Sequence, residues 1–141
     1  MLEKKEQLPL VSCIVPAFNA AEHIGHTIES VQNQTYTNWE MLITDDGSSD
    51  DTAEIVRSYG EKDPRVKLFQ FEKNTGLAAK ARNNSMKQAK GDYFAFIDAD
   101  DEWKKDKLEK QVSYLEKHQD VDGVTSWYYV FGDEERVKLF N

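Results

Sequence analysis

Apolar and polar positions along this chain fall into short blocks whose period changes several times. Leu10 to Pro16 holds the β-branched apolar residues Val11, Ile14 and Val15 and predicts a first strand. Pro16 is expected to end it, because proline has no N–H to give a ladder. Ala21 to Gln34 sets Ile24, Ile28 and Val31 at i, i+4 and i+7, the apolar stripe of a helix, with His23 and His26 flanking it at the surface. Trp39 to Thr44 predicts a second strand through Met41, Leu42 and Ile43. The next helix presents Ile55, Val56 and Tyr59, with Asp50 or Asp51 as its cap and Gly60 as its close. Val66 to Phe71 predicts a third strand. Leu77 to Lys90 predicts a helix with Leu77, Ala81 and Ala89 inward and Gly91 as its stop.

The following block, Gly91 to Trp103, changes character within a few residues. An apolar run through Phe94, Ala95, Phe96 and Ile97 predicts a strand buried on both faces. It gives way at once to Asp98, Asp100 and Asp101. Glu102 to His118 then predicts a helix, with Asp101 as its cap and Leu108, Val112 and Leu115 as its stripe. Val124 to Phe131 predicts a last strand, and Gly132 to Glu135 a hairpin turn into Arg136 to Phe140. Strands alternating with helices imply an α/β fold with a mainly parallel sheet and right-handed crossovers.

That arrangement gives the carboxylates a shared address. In open parallel sheets, ligands bind beyond the carboxyl ends of the strands. Two strands end there in acids, one at Asp45 and Asp46 and the other at Asp98, Asp100 and Asp101. Asp98 and Asp100 suit one hard cation, Mg2+ or Mn2+, which prefers oxygen ligands and leaves positions open for substrate phosphates. A structural explanation stands beside this one, since Asp also serves as a cap and turn residue where strands give way to helices.

Composition narrows the choice. The chain has 141 residues, which suits one domain (10–141) preceded by a charged tail (1–9). Its 26 acidic and 18 basic residues give a formal net charge of -8, which argues against nucleic acid or an anionic membrane surface as partner. Three His and one Cys make a zinc site a poor fit. Cys13 sits in an apolar run as a small buried residue, in keeping with a reducing compartment. The tail has no apolar core of a secretory signal, and no apolar run approaches membrane-spanning length.

Five blocks in order carry a resemblance. They are Val11 to Asn19, Ser30 to Tyr36, Trp39 to Asp50 (with Asp45-Asp46-Gly47-Ser48-Ser49-Asp50), Ala81-Arg82-Asn83, and Asp98-Ala99-Asp100-Asp101. Together they resemble family 2 glycosyltransferases with the Rossmann-like GT-A fold, in particular bacterial enzymes of cell-wall, capsule or teichuronic-acid polysaccharide assembly. The resemblance covers about residues 10 to 130 and implies an enzyme moving a sugar from a nucleotide-diphosphate donor, often a UDP-sugar, to an acceptor hydroxyl by a metal-assisted inverting displacement.

Carried over by position, Pro16, Ala17 and Phe18 would lie against base and ribose, with Asn19 beside them, while Asp46 would bond the base. Asp98 and Ala99 would lie by ribose and diphosphate. Asp100, aided by Asp98, would hold the Mn2+ or Mg2+, and Arg82, or Lys80 in its place, would approach the diphosphate or base edge. The acceptor would be a saccharide or lipid-linked, the setting the cytoplasm or the inner face of the membrane.

Members of the family continue past this chain's Asn141 into an acceptor-binding half that supplies the general base, and no residue after Asp101 is a credible base here. The sequence therefore resembles a truncated donor-binding part. Two roles follow: catalysis with a C-terminal half, or a catalytically incomplete module that binds nucleotide, self-associates or joins another subunit. A phospho-transfer domain is disfavoured, because no Asp-x-Asp-x-Thr nucleophile motif occurs and the richest acid cluster comes late.

Overall fold

The computed structural model describes residues 8–127. The element order is β1 (Val11–Ala17), α1 (Ile24–Gln32), β2 (Trp39–Asp45), α2 (Thr52–Lys62), β3 (Val66–Gln70), α3 (Ala78–Gln88), β4 (Tyr93–Phe96) and α4 (Lys107–Lys117). The four strands form one sheet in the order β3-β2-β1-β4, and every neighbouring pair is parallel. The chain thus runs outward from β1 through β2 to β3, then returns to the other side of β1 as β4. The strand order reverses between β1 and β4, the place where open α/β sheets form a ligand crevice.

Every residue of β1 and β2 is buried, as expected of central strands covered by helices. Val11, Ile14, Val15, Leu42 and Ile43 are fully enclosed or nearly so. Each such side chain stabilises the fold by about 1.5–3 kcal/mol relative to exposure. Register puts Ser12, Glu40 and Phe94 on one face of the sheet, and Ile14, Leu42 and Phe96 two residues on. Helix α3 covers part of that face, since the Thr44 and Ser85 hydroxyls lie 2.7 Å apart and Asn84 Nδ2 donates to Thr44 Oγ1.

Glu40 is the buried anchor beneath α3. Its Oε1 accepts from Ser12 Oγ at 2.8 Å and from the Lys90 amide at 2.7 Å, and its Oε2 from Lys67 Nζ at 2.8 Å. Burial pushes the carboxyl up, but those hydrogen bonds and the Lys67 charge outweigh it and hold it below the ordinary Glu range. Cys13 is enclosed in β1, where burial and the nearby Glu40 charge push its thiol up.

Several sequence expectations need correction. Strand β1 continues through Pro16 to Ala17. The Ile14 carbonyl points toward β4, where it accepts from Ile97, so Pro16 two residues on faces the same side, past the last β1–β4 pair. No ladder donor is required there. Helix α1 begins at Ile24 instead of Ala21, and α2 runs through Gly60 to Lys62. A Cβ at Gly60 would stand 2.9 Å from the Val66 carbonyl oxygen, so close packing on β3, not helix termination, explains the residue. Asp51 occupies the N-cap of α2 without a side-chain bond, while Asp50 Oδ1 accepts from the Thr52 amide.

The remaining corrections fall in the second half. Leu77 lies outside α3 and is exposed, and Ser85 joins Ala81 as a buried residue of that helix. Asp101 is no helix cap, because α4 starts at Lys107. Strand β4 is not buried on both faces, for Phe94 and Phe96 are 46% and 51% exposed. Among the described residues β4 is an edge strand. The expected last strand is irregular over 124–127, and its remainder with the hairpin lies outside the described residues.

By contacts the chain divides into two compact units, Met1–Lys110 and Gln111–Asn141. In the first, Leu108 is buried and its amide donates to Gln34 Oε1. In the second, the Tyr114 and His118 rings stack with centroids 4.1 Å apart. No described helix is long and apolar enough to cross a membrane.

Candidate functional site

The parallel sheet delivers the predicted site residues to one rim, at the carboxyl ends of β1, β2 and β4. Pro16 and Ala17 are the buried last residues of β1, and Phe18 beyond them is 47% exposed. Asn19 turns the chain with a φ of 46°. Asn is among the few residues that tolerate this left-handed conformation. Its amide donates to Ser48 Oγ at 2.9 Å, and its Oδ1 accepts from the Ser49 amide at 2.9 Å. Ala20 and Ala21 donate their amides to Thr52 Oγ1 and Asp50 Oδ2. The β1 and β2 loops are thus laced together through Asn19.

Asp45 and Asp46 divide the work at the end of β2. Asp45 is 1% exposed and accepts from the Ser48 hydroxyl and amide and from Gln70 Nε2. As the last residue of β2 it closes the turn that follows, and through Ser48 it also steadies Asn19. Asp46 is 4% exposed. Its Oδ1 accepts from the Thr75 amide and its Oδ2 from the Thr75 hydroxyl, both at 3.0 Å. Thr75, in the loop before α3, carries no pattern that singles it out in the sequence.

The β4 end is more open. Arg82 reaches from α3 to Asp98, with Nη2 2.8 Å from Oδ1. Arg82, Asp98, Asp101 and Phe96 line an open cavity of about 380 Å3. Ala99 is buried, and its carbonyl accepts from Thr27 Oγ1 of α1 at 2.9 Å, which ties the acidic turn to the core. The Asp101 amide donates to the Asp98 carbonyl at 3.1 Å and closes that turn. Asp100 is exposed, as is Lys80. Arg82, not Lys80, is the cation that pairs with an acid of this rim.

The acidic turn has a charge it does not neutralise internally. Burial pushes the Asp101 carboxyl up, and the Asp100 and Asp98 charges push it further. Among the described residues no three His, Cys, Asp or Glu side chains gather as a cation cage. Asp98 and Asp100 supply hard oxygen donors without such a cage. That donor set fits Mg2+ or Mn2+, ions commonly held by one or two carboxylates together with substrate phosphates. Phe96 and Thr75 are the residues at the rim that pattern reasoning missed. The apolar run puts Phe96 in the core by pattern alone, and the Thr75 contact depends on where a loop lies.

Comparison with known proteins gives a consistent result. The family model described as Glycosyl transferase family 2 matches residues 12–140. The Escherichia coli UDP-Glc:alpha-D-GlcNAc-diphosphoundecaprenol beta-1,3-glucosyltransferase WfgD is 47% identical over 109 residues, spanning 77% of this chain and 42% of that protein. S. aureus TarS 1-349 in complex with UDP-GlcNAc superposes with a TM-score of 0.74 at 30% identity, over 87% of this chain and 38% of that one. Mannosyltransferase PcManGT from Pyrobaculum calidifontis, in complex with GDP-Man and Mn2+, superposes with a TM-score of 0.69 at 30% identity, over 78% of this chain and 33% of that one. The chain spans about half the length, or less, of the relatives it matches.

Proposed function

The chain belongs to glycosyl transferase family 2, with the GT-A type of α/β fold, and from that premise we propose that its carboxyl rim binds a nucleoside diphosphate sugar, a UDP-sugar first among the candidates. The observation that carries this is the open cavity at the carboxyl end of β4, lined by Arg82, Phe96, Asp98 and Asp101, where Arg82 and Asp98 form an ion pair; β4 lies beside β1 at the reversal of strand order. TarS and PcManGT support the reading, since both are described with nucleotide sugars on the same fold.

In this reading Pro16, Ala17 and Phe18 form the wall for base and ribose, with Asn19 fixing that wall to the β2 loop. Asp46 accepts a hydrogen bond from the base, Ala99 lies beside the ribose and diphosphate, and Arg82 offsets the diphosphate charge. Asp98 holds Arg82 through their ion pair and would offer a carboxylate oxygen to the cation. Asp100, aided by Asp98, would hold a divalent cation, which acts when bound as a Lewis acid toward the departing nucleoside diphosphate. The sugar passes to an acceptor hydroxyl, saccharide or lipid-linked, in polysaccharide assembly. The anomeric C–O bond to the diphosphate breaks as the acceptor oxygen bonds from the opposite side. The acceptor's proton goes to a base that the described residues do not provide.

Isothermal titration of UDP into the folded chain, with and without Mn2+, tests the reading. Binding that strengthens with Mn2+ in the wild type, and loses that dependence in Asp100→Asn, is expected. A folded chain that binds no UDP in either condition refutes it.

A further inference from the structure

The Asp46 carboxylate is nearly enclosed, and among the described residues it is Thr75 that holds both of its oxygens. Thr75 donates its amide to Oδ1 and its hydroxyl to Oδ2, both at 3.0 Å. The direction of the hydroxyl is fixed by its other neighbour. The Leu77 amide lies 3.4 Å from Thr75 Oγ1 and can only donate, so the oxygen accepts there and its hydrogen turns to Asp46. Leu77 is the N-cap of α3, the helix that carries Arg82. Thr75 therefore stands between the carboxylate at the end of β2 and the start of the helix that supplies the rim's cation.

The backbone around Thr75 is held as firmly as its side chain. Asn74 Oδ1 accepts from the Gly76 amide at 2.5 Å and tightens the turn. Gly47, next to Asp46, packs so closely on the 73–74 backbone that a Cβ there would come within 2.5 Å of the Asn74 nitrogen. Loop and carboxylate form one unit. An ionised carboxylate offers about four lone-pair directions. Thr75 takes two, and the others keep fixed directions because the first two are occupied.

We propose that Thr75 is a positioning residue for nucleobase selection, holding the Asp46 carboxylate at the angle that accepts an imide N–H and so favouring uridine over cytidine diphosphates. This rests on the reading that Asp46 meets the base. The chemistry follows from the acceptor-only character of a carboxylate. Uracil presents N3–H, a donor. Cytosine presents an unprotonated N3, an acceptor, which faces the carboxylate with no proton between them. A carboxylate free to rotate could turn away from cytosine and lessen that penalty. One pinned at both oxygens cannot.

The experiment titrates UDP and CDP separately into the wild-type chain, Thr75→Val and Thr75→Ser, with urea unfolding of each. Val keeps the amide donor and the shape but removes the hydroxyl, whereas Ser keeps both donors. The expected result is UDP binding weakened about fivefold in Thr75→Val, the scale of one lost hydrogen bond, with a lower UDP-to-CDP affinity ratio. Thr75→Ser should restore the ratio. Should Thr75→Val not fold, Thr75→Ala replaces it and is read in the same way. A Thr75→Val ratio equal to wild type overturns the inference and leaves the donor-binding reading standing. A wild-type chain that binds UDP and CDP equally also overturns the inference alone. A folded wild-type chain that binds neither nucleotide overturns the donor-binding reading and the inference with it.

Discussion

Two glycines with nearly the same backbone make a controlled test of how the rim is built. Gly47 has φ +69° and Gly76 has φ +71°. Alanine at either position meets the same left-handed conformation, which costs an L-residue about 1–2 kcal/mol. The surroundings differ. At Gly76 a Cβ would have nothing within 4 Å, whereas at Gly47 it would come within 2.5 Å of the Asn74 nitrogen and 2.7 Å of the Lys73 carbonyl carbon. Both close atoms are backbone, so relief requires the 73–76 loop to move. That displacement adds about 1–3 kcal/mol, the usual scale of overpacking. Gly47→Ala should therefore cost about 3 kcal/mol and Gly76→Ala about 1 kcal/mol. For a chain of this length the corresponding falls in Tm are about 10 °C and about 3 °C. Urea unfolding followed by far-UV circular dichroism measures both at constant m. Equal losses would show that loop contact adds nothing at Gly47 and would refute the argument that the two loops are one unit.

Two further predictions concern the scaffold beneath the rim. Glu40→Ala removes the acceptor for Ser12, the Lys90 amide and Lys67, and should cost about 3 kcal/mol by urea midpoint, because buried donors lose their partner; a loss under about 1 kcal/mol would count against the anchor role. Asp63 is held by the Arg65 guanidinium, with a pKa lowered from 3.8 to about 2. A depressed carboxyl contributes stability above its unfolded pKa and loses it as pH falls through the folded one, so the contribution should disappear between about pH 4 and about pH 2. Allowing for solvent screening, it amounts to about 1 kcal/mol. Urea midpoints for wild type and Asp63→Asn should differ at pH 6 and converge toward pH 2, and a gap that persists unchanged would contradict the assignment.

Periodicity in the sequence states the class of fold and puts acids at the ends of two of its strands. Apolar stripes at Ile24, Ile28 and Val31, and the runs ending at Asp45 and Asp98, follow from local periodicity. Burial requires that periodicity wherever a helix or strand faces a core. Where such a run stops, the residues beyond it lie at the rim of the sheet. Element ends were less legible. At Pro16 and Gly60 the surroundings outweigh the local preference: Pro16 lies past the last β1–β4 pair and Gly60 lies against Val66, while Leu77 is the N-cap of α3 and falls outside its helix.

Which acids meet which partners depends on the assembled fold. The order β3-β2-β1-β4 places the reversal of strand order between β1 and β4, and no residue pattern states strand order. The Arg82–Asp98 ion pair joins a helix to a strand end, and the Thr75–Asp46 pair joins residues 29 positions apart. Such contacts depend on where crossovers and loops lie once the sheet is assembled. Periodicity records the burial of single residues along an element and carries no information about pairs brought together from different elements.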